Sequence, residues 1–321
     1  MNLKEAKILV TAISYGKYDS RLRTELEEAV GQVIYNPTGK PLSSEELGNL
    51  LQGVDGLIAG LDMINRAAIE KADRLKVISR YGVGFDNVDI VAAREKNIIV
   101  TNTPGANSSS VAELAMGLIL ALSRQMIEAS KAVKQGDWPR LTGVSLEGKV
   151  VGILGLGAIG KKLALMCSGF NCTVLAYDPY PDRKFVDTNN IQYLTMDEIL
   201  AKADFVSLHM PLVPETKNLV NQTFLGKMKK GSFLINTSRG EIVDEDALLE
   251  ALQSGHLRGA GLDAFKNEPP DPKNPLLHLP QVIATPHLGA QTDGATSNMG
   301  WIAMKDCLAV LRGEEPLFKV S

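Results

Sequence analysis

The chain of 321 residues contains few cysteines, four histidines and only 5 % aromatic residues. Its three cysteines, Cys167, Cys172 and Cys307, are odd in number and too scattered for a disulfide framework or a zinc cluster. This cysteine usage suits a reducing compartment, so we expect a cytoplasmic protein that binds no metal. The first residues, which include Glu5, lead straight into an apolar segment and do not have the pattern of a signal peptide.

Neither sign of charge dominates the chain, because 34 Lys and Arg residues stand against 37 Asp and Glu residues, for a net charge of −3. No global positive field is therefore available to bind nucleic acid or an anionic membrane surface. The longest apolar run, residues 115–122, is far shorter than the roughly 20 residues that a membrane span needs. We therefore expect neither a nucleic-acid nor a membrane partner, and the 45 % hydrophobic composition predicts a globular fold.

Short apolar runs alternate with segments of helical periodicity almost from end to end. The runs are rich in β-branched residues and lack polar alternation, which is typical of parallel strands covered on both faces. Ser43-Ser44-Glu45-Glu46 has the spacing of a capping box and predicts the start of a helix. The rhythm occurs once in the first third of the chain and again after residue 148, so it predicts an α/β protein with two doubly wound domains.

A long helical segment, residues 108–134, joins the two halves in place of a flexible linker. Its first part, Val111–Ala121, is apolar almost all round, which is not typical of a helix that faces solvent. The residues alone leave two interpretations open: the segment is buried between the domains, or it forms a subunit interface. The two interpretations are compatible.

A glycine motif, Gly155-Leu156-Gly157-Ala158-Ile159-Gly160, follows the predicted strand Lys149–Leu154 and opens a helix. Gly155 would allow the tight turn, Gly157 would let the backbone approach a pyrophosphate, and Gly160 would let the helix pack on the strand. The N-terminus of the helix offers free amides and a partial positive charge to the phosphates. The motif predicts a dinucleotide site.

An acidic residue, Asp178, stands at the end of the next predicted strand. Its carboxylate would accept hydrogen bonds from the adenosine ribose hydroxyls and would repel a 2′-phosphate. This position favours NAD over NADP, although Arg183 and Lys184 follow closely and soften that preference.

One of the four histidines has a position that favours chemistry. His256 follows a predicted helix, and His278 lies in a proline-rich loop. His209 ends a predicted strand and could line the cofactor cleft, but Pro211 and Pro214 after it indicate mainly loop shaping. His287 instead follows the predicted strand Val282–Pro286 directly, and ligands of open parallel sheets bind at the carboxyl ends of strands.

Two charged residues have the same kind of position as His287. Arg239 follows the predicted strand Ser232–Ser238, and Glu268 lies just past Gly259–Ala264. His287 would exchange a hydroxyl proton while Glu268 fixes its tautomer and stabilises the imidazolium. Arg239 would bind a substrate carboxylate through two points and polarise the carbonyl. Beside a dinucleotide site, this set predicts hydride transfer on a hydroxyl group that neighbours a carboxylate.

These residues lie in segments that resemble the D-isomer-specific 2-hydroxyacid dehydrogenases, and within them the phosphoglycerate dehydrogenase-like group. The matching segments are Arg80-Tyr81-Gly82-Val83-Gly84-Phe85-Asp86-Asn87-Val88-Asp89, Asn102-Thr103-Pro104-Gly105-Ala106-Asn107, the glycine motif, His209-Met210-Pro211-Leu212, Ile235-Asn236-Thr237-Ser238-Arg239-Gly240, Gly261-Leu262-Asp263-Ala264-Phe265 with Glu268-Pro269, and Thr285-Pro286-His287-Leu288-Gly289. They run in the family's order from about residue 56 to 300.

The resemblance implies two Rossmann-like or flavodoxin-like domains with a cleft between them: residues 1–103 with 291–321 for the substrate, and residues 104–290 for NAD. It implies Arg239, Glu268 and His287 as catalytic residues, and the amides of Val83 and Gly84 as further contacts to the substrate carboxylate. The implied cofactor contacts, beyond the three glycines, are Ala158, Ile159, Asp178, Thr216, Thr237 and Asp263. It also implies a homodimer formed through residues 108–134.

The sequence predicts the type of reaction more closely than the identity of the substrate. Many phosphoglycerate dehydrogenases carry an Arg-Ser pair after the third strand, whereas this chain has Gly60-Leu61-Asp62, in which we expect the acid to repel a phosphate. Arg80 and Lys76 are alternative anion partners. We therefore expect a D-2-hydroxyacid and its 2-oxoacid, of either the 3-phosphoglycerate type or the hydroxypyruvate and glyoxylate type.

Two other functions compete with this prediction. Formate oxidation within the same family releases no hydroxyl proton, so the carboxylate partner that we expect for the histidine argues against it. An NAD-sensing co-regulator would use the same fold as a protein-binding module.

Overall fold

The computed structural model describes residues 1–320 and divides into two compact units. The first unit consists of Met1–Asn107 together with the chain from Ala290 onward. The second unit is the continuous segment Ser108–Gly289.

The elements follow one another in a β-α rhythm. In residues 1–107 they are β1 (Lys7–Val10), α1 (Arg21–Ala29), β2 (Gln32–Tyr35), α2 (Ser44–Leu50), β3 (Gly56–Ala59), α3 (Arg66–Glu70), β4 (Val77–Arg80), α4 (Ile90–Glu95) and β5 (Ile99–Thr101). In the second unit they are α5 (Ser108–Ser123), α6 (Met126–Lys134), β6 (Val150–Leu154), α7 (Ala158–Gly169), β7 (Thr173–Tyr177), α8 (Arg183–Thr188), β8 (Gln192–Tyr193), α9 (Met196–Lys202), β9 (Phe205–Leu208), α10 (Gln222–Lys227), β10 (Ser232–Asn236), α11 (Glu245–Gln253), β11 (Leu257–Leu262) and β12 (Val282–Ala284). The last helix, α12 (Asp293–Arg312), belongs to the first unit.

The first unit is built on a parallel five-stranded sheet in the order β2-β1-β3-β4-β5. Successive residues of β1 alternate between the two faces: Ile8 and Val10 pack with α1 and α12, whereas Leu9 packs in the core that contains α2 and α3. Because both faces are buried, the strands need apolar residues at every position, which explains the missing polar alternation.

The second unit is built on a parallel seven-stranded sheet in the order β12-β11-β10-β9-β6-β7-β8. The strand order reverses between β6 and β9, so the carboxyl ends of these two strands form the switch point at which such sheets bind ligands. Both sheets thus confirm the predicted doubly wound α/β fold.

Local hydrogen bonds explain where several helices begin. Ser43 accepts a hydrogen bond from the Glu46 amide while the Glu46 carboxylate accepts one from the Ser43 amide, which confirms the predicted capping box of α2. Thr195 and Glu198 form the same reciprocal pair at the start of α9. These caps satisfy amides that the first turn of a helix leaves without partners.

The predicted helical segment 108–134 consists of two helices. The axes of α5 and α6 meet at 62°, and Gln125 between them has a left-handed backbone with φ of 51°. The Gln125 side chain donates to the Thr142 carbonyl, which ties the break to the following loop. Within the second unit α5 packs on β10, β11 and α7. Leu118 and Leu122 of α5 lie against Gly261 and Gly259 of β11, where the glycines leave room for them.

Two short elements had no counterpart in the sequence prediction, namely α8 with six residues and β8 with two. Both lie below the length at which periodicity is informative. No single helix among residues 1–320 is long and apolar enough to cross a membrane; α5 and α6 reach that threshold only when taken as one bent pair.

Candidate active site

The ends of three neighbouring strands bring the predicted catalytic residues to one edge of the second sheet. Asn236 of β10 pairs with Leu262 of β11, and Leu262 pairs with Ala284 of β12. Arg239 and His287 each follow three residues after the end of their strand, and Glu268 lies in the loop that follows β11. The parallel register therefore delivers all three side chains to the carboxyl edge, where ligands of such sheets bind.

His287 and Glu268 form a hydrogen-bonded pair. The Nδ1 atom of His287 lies 2.7 Å from Oε2 of Glu268, and Oε1 of Glu268 accepts a hydrogen bond from the Phe265 amide at 3.1 Å. A carboxylate can only accept, so Nδ1 of His287 carries a proton. Within residues 1–320, Nε2 of His287 has no hydrogen-bond partner, and the ring is about one-third exposed. This nitrogen can therefore exchange a proton with a ligand.

The pair shifts the acidity of both members. The hydrogen bond that His287 donates to Glu268, together with the negative charge of Glu268, raises the pKa of His287 above its ordinary value, although partial burial opposes the shift. Burial acts to raise the pKa of Glu268, but the hydrogen bond and charge of His287 outweigh it and hold the pKa of that carboxyl below its usual range. Glu268 thus stays ionised and stabilises the imidazolium.

Arg239 is close enough to act electrostatically on both members of the pair, since its charge lowers the pKa of His287 and that of Glu268. Its guanidinium donates to the Ser238 carbonyl at 2.8 Å, and the Asn236 side chain donates to the Arg239 carbonyl at 2.9 Å. The next residue, Gly240, touches the main chain of Phe265, and a Cβ there would overlap the Phe265 carbonyl. This close approach joins the loops that carry Arg239 and Glu268.

Asp263 braces the turn that carries His287. Its carboxylate is 2 % exposed and accepts hydrogen bonds from the Thr285 hydroxyl at 2.6 Å, the Leu288 amide at 2.7 Å and the Gly289 amide at 2.8 Å. These bonds surround His287, whose backbone is left-handed with φ of 52°. Sequence reasoning missed this bracing role, because it assigned Asp263 only to the cofactor; that contact stays a prediction.

The glycine motif forms the turn that the sequence predicts. Gly155 has φ of 99° and lies against the main chain of His209, which leaves no room for a side chain. Gly160 lies against the Gly155 carbonyl, whereas a Cβ at Gly157 would meet nothing within 4 Å. Helix α7 begins at Ala158, so its free amides face the open space beside Gly157. This open cradle at a helix N-terminus suits a pyrophosphate.

Asp178 connects the motif to the end of β7. Its Oδ2 accepts from the Leu156 amide at 2.8 Å and its Oδ1 from the Tyr180 amide at 2.8 Å. Arg183 stacks on the ring of Tyr193 at 4.5 Å, and the Tyr193 hydroxyl donates to the Asp178 carbonyl. The carboxylate is therefore fixed beside the glycine loop, where it can accept from ribose hydroxyls.

Two buried polar atoms near this edge lack partners among the described residues, the Thr237 hydroxyl and Nδ1 of His209. Burial lowers the pKa of His209 to about 4, and its Nε2 lies 2.9 Å from the Ser207 hydroxyl. Unpaired polar atoms at a sheet edge fit a polar ligand such as NAD. The Thr216 hydroxyl instead donates to the Pro211 carbonyl at 2.7 Å and accepts from the Val213 amide, so it shapes its own loop.

The predicted substrate residues Val83 and Gly84 lie in the first unit, in the loop after β4. Asp62 does not face a ligand: its carboxylate is fully buried and accepts from the Leu42 amide at 2.8 Å and from the Thr11 hydroxyl. The carboxylate joins two loops and is not available for direct contact with a ligand, and the expected repulsion of a phosphate stays a prediction.

Neither of the two alternative anion partners is exposed beside the Val83 loop. Arg80 is buried and donates to the carbonyls of Ala59, Gly60 and Gly84. Lys76 precedes β4 and so lies at the opposite edge of the sheet from the Val83 loop. Across residues 1–320, no group of three or more His, Cys, Asp or Glu side chains is placed to bind a metal ion.

Comparison with known proteins identifies the family of the chain. Residues 116–289 match the model of the D-isomer specific 2-hydroxyacid dehydrogenase, NAD binding domain. The chain is 42 % identical to a D-3-phosphoglycerate dehydrogenase of Methanocaldococcus jannaschii over 89 % of its own length, but spans only 55 % of that relative. It is 41 % identical to a glyoxylate reductase of Thermofilum pendens, with 91 % of this chain and 88 % of the relative covered.

A solved structure shows the same fold. The pyruvate reductase of Chlamydomonas reinhardtii superposes with a TM-score of 0.87 at 31 % identity, covering 98 % of this chain and 99 % of that one. The match extends over both units. The chain therefore belongs to the D-isomer-specific 2-hydroxyacid dehydrogenases, a family of NAD-binding oxidoreductases, and contains its NAD-binding domain.

Proposed function

We propose that the protein interconverts a D-2-hydroxyacid and its 2-oxoacid with NAD(H). The observation that carries the proposal is the His287–Glu268 pair at 2.7 Å, on strand ends that also present Arg239. Bound NADH would supply the hydride that reduces the 2-oxoacid. The glycine motif and Asp178 would bind the dinucleotide, since they combine an open helix N-terminus with a fixed carboxylate.

His287 acts as the general acid in reduction and as the general base in oxidation. Its raised pKa favours the protonated ring, and the proton on Nε2 is the one donated to the developing alkoxide. Glu268 holds the ring through Nδ1 and stabilises its positive charge. Arg239 binds the substrate carboxylate and draws electron density from the carbonyl, with the amides of Val83 and Gly84 as further donors to that carboxylate.

The substrate is one of the short 2-oxoacids that the relatives' names indicate. These names point to phosphorylated and unphosphorylated acids alike. Asp62, on which rejection of a phosphate was expected to depend, is buried and makes no direct contact available to a substrate. We therefore propose only what these acids share, a carboxylate next to a carbonyl group. The group attached to the other side of the carbonyl carbon is what the substrate panel determines.

A substrate panel with one variant tests the proposal. NADH consumption is followed with glyoxylate, pyruvate, hydroxypyruvate, oxaloacetate and 3-phosphohydroxypyruvate for the wild type and for His287→Ala. Loss of a general acid should lower kcat by about 10²- to 10⁴-fold, while the dissociation constant of NADH, measured by fluorescence, stays near the wild-type value. Equal rates for the variant and the wild type on every accepted acid would refute the role of His287.

We also propose a homodimer formed through residues 108–134 and the loop that follows. Apolar side chains are exposed along this segment, at Met126, Ile127, Val133 and Trp138, of which Trp138 is 84 % exposed. Clustered exposed apolar residues mark interaction surfaces. Light scattering after size exclusion should give twice the mass of the chain for the wild type and a shift towards the monomer for Ile127→Glu; a monomeric wild type would contradict the proposal.

The protein-binding alternative gains no support from the relatives named above, all of which bear the names of enzymes. The cytoplasmic location stays a prediction. It accords with free thiols at all three cysteines and with burial that raises the pKa of Cys167 and of Cys307 to about 12.

A further inference from the structure

Three hydrogen bonds to successive carbonyls fix the loop Gly82–Phe85. The Thr103 amide donates to the Gly82 carbonyl at 3.1 Å and the Asn102 side chain to the Val83 carbonyl at 2.7 Å. The Arg80 Nε donates to the Gly84 carbonyl at 3.1 Å. All these residues belong to the first unit, and the three donors come from the ends of the adjacent strands β4 and β5.

These anchors determine where the loop amides point. A trans peptide plane sets the carbonyl of one residue antiparallel to the amide N–H of the next, and the peptides of this loop are trans. Because the carbonyls of residues 82, 83 and 84 point at the anchors, the N–H groups of Val83, Gly84 and Phe85 point away from them. Within residues 1–320 nothing accepts a hydrogen bond from these three amides. Successive backbone amides without an acceptor in the protein can form an anion-binding nest.

Arg80 adds a fixed charge beneath the nest. The residue is 3 % exposed, and it also donates to the carbonyls of Ala59, at 2.6 Å, and Gly60 at the end of β3. A charged donor on the Gly84 carbonyl polarises that peptide, which makes the Phe85 amide a stronger donor. The buried guanidinium also raises the electrostatic potential that an anion meets at the loop.

Asn102 is itself held by the C-terminal tail. Its backbone amide donates to the Phe318 carbonyl at 3.2 Å. The buried carboxylate of Asp306 in α12 accepts from the Leu317 amide at 2.8 Å and from the Phe318 amide at 3.1 Å. The tail therefore fixes the backbone of Asn102, and the side chain of Asn102 fixes the loop.

We infer that Asn102 and Arg80 are positioning residues that aim the amides of Val83, Gly84 and Phe85 at the carboxylate of the substrate. The inference rests on the proposed function, which supplies that carboxylate. The inference assigns the Phe85 amide as a third donor to the carboxylate. It also predicts that the side chains of Asn102 and Arg80 affect substrate binding without touching the substrate.

Substitutions at Asn102 test the inference. Asn102→Asp keeps the shape but cannot donate to the Val83 carbonyl, and Asn102→Ala removes the donor without adding a charge. Asn36→Asp is the matched control, because the Asn36 side chain also donates to carbonyls of the first unit, those of Thr11 and Lys40, away from the loop. Arg80→Lys keeps the charge while losing the planar fork that reaches several carbonyls.

Three quantities are measured: the KM of the best 2-oxoacid from the panel, the dissociation constant of oxalate by calorimetry, and that of NADH by fluorescence. A misaimed bond to a charged group is expected to raise the KM and to weaken oxalate binding by about 10- to 100-fold in both Asn102 variants, with a smaller change in kcat. NADH binding and the melting temperature should stay close to the wild type. Arg80→Lys should be intermediate, and Asn36→Asp unchanged.

Each outcome separates the inference from the function. A wild type that reduces a 2-oxoacid, with both Asn102 variants keeping its KM and oxalate affinity, would overturn the inference and leave the function intact. Oxalate binding that is lost in these variants would support the inference even if no 2-oxoacid were reduced, in which case the function would be wrong. Failure of the wild type to bind oxalate, with and without NADH, would overturn the inference.

Discussion

His287 and Glu268 are joined on one side of the imidazole only: Nδ1 of His287 lies 2.7 Å from the carboxylate, and Nε2 has no partner among the described residues. The second oxygen of Glu268 is held by the Phe265 amide. The carboxylate therefore sets the orientation of the ring, its tautomer and its affinity for a proton, while Nε2 stays available to a ligand. Removing each contribution should change a different measurable quantity.

The pH dependence of reduction should follow the pKa of His287. Reduction needs the protonated ring, so kcat/KM should be constant below the raised pKa and should fall as the pH increases through it. Glu268→Gln removes the negative charge that raises this pKa, while the burial that lowers it remains. The alkaline limb of the pH profile should therefore move to lower pH in the variant, and kcat should fall.

Glu314→Gln provides the control, because Glu314 forms an exposed ion pair with Arg312 far along the chain. Its pH profile should match the wild type. An unchanged alkaline limb in Glu268→Gln would show that the pair does not control the proton that is transferred.

Asp263→Asn should disturb both stability and catalysis. An amide has one acceptor oxygen, so its NH₂ group would face either the Gly289 amide or the Thr285 hydroxyl and the Leu288 amide. Buried donors without an acceptor cost about 1–3 kcal/mol each. We expect a lower midpoint in urea unfolding and a lower kcat, since the turn that carries His287 is no longer fixed.

Asp55→Asn is matched to this variant, because Asp55 is also buried and accepts from the Lys7 amide and from Arg74. It should lower stability and leave kcat unchanged. If Asp263→Asn and Asp55→Asn lost the same stability and had the same kcat, the bracing role of Asp263 would be contradicted.

Asp178→Ala should weaken NADH binding and reduce the discrimination against NADPH. The loss of a charged acceptor for ribose hydroxyls corresponds to about 10- to 100-fold in affinity, and the repulsion of a 2′-phosphate disappears with the charge. Fluorescence titration with both nucleotides measures both effects. Asp187→Ala, at an exposed site on α8, should bind both as the wild type does; an unchanged ratio in Asp178→Ala would place the discrimination elsewhere.

The glycines of the motif should respond differently to alanine. A methyl group at Gly160 would overlap the Gly155 carbonyl, so Gly160→Ala should lower the melting temperature. At Gly157 the methyl group would meet open space, so Gly157→Ala should fold normally but bind NADH more weakly, because the space is the one we assign to the pyrophosphate. Normal NADH binding by Gly157→Ala would show that the pyrophosphate lies elsewhere.

The parts of the site that the sequence predicts are those with local signals. The glycine motif follows a strand, and Arg239, Glu268 and His287 follow strands whose apolar runs are plain in the sequence. Parallel strands end at one edge, so position along the chain is enough to bring these side chains to that edge.

The parts that the sequence does not predict depend on pairing between distant segments. Asp62 lies in a loop that reads as exposed, yet its carboxylate bonds to Thr11 and Leu42. Asn102 follows β5 and reaches Val83 after the neighbouring strand β4, and Asp263 follows β11 and reaches Gly289 after the neighbouring strand β12. The break at Gln125 also lacks a signal, because glutamine favours helices and its left-handed backbone is imposed by the loop that follows.

The division of the first unit between the two ends of the chain has a consequence for synthesis. Helix α12 covers one face of the five-stranded sheet, where Met299, Ala303 and Cys307 pack against the core formed by Ile8 and Val77. On the ribosome the part of this face that α12 covers stays open until that helix is made, whereas the second unit, a continuous segment, precedes α12 along the chain. The core between α12 and this sheet can therefore be completed only after the second unit has been made, and chaperones that bind apolar strands would meet the open face during that interval.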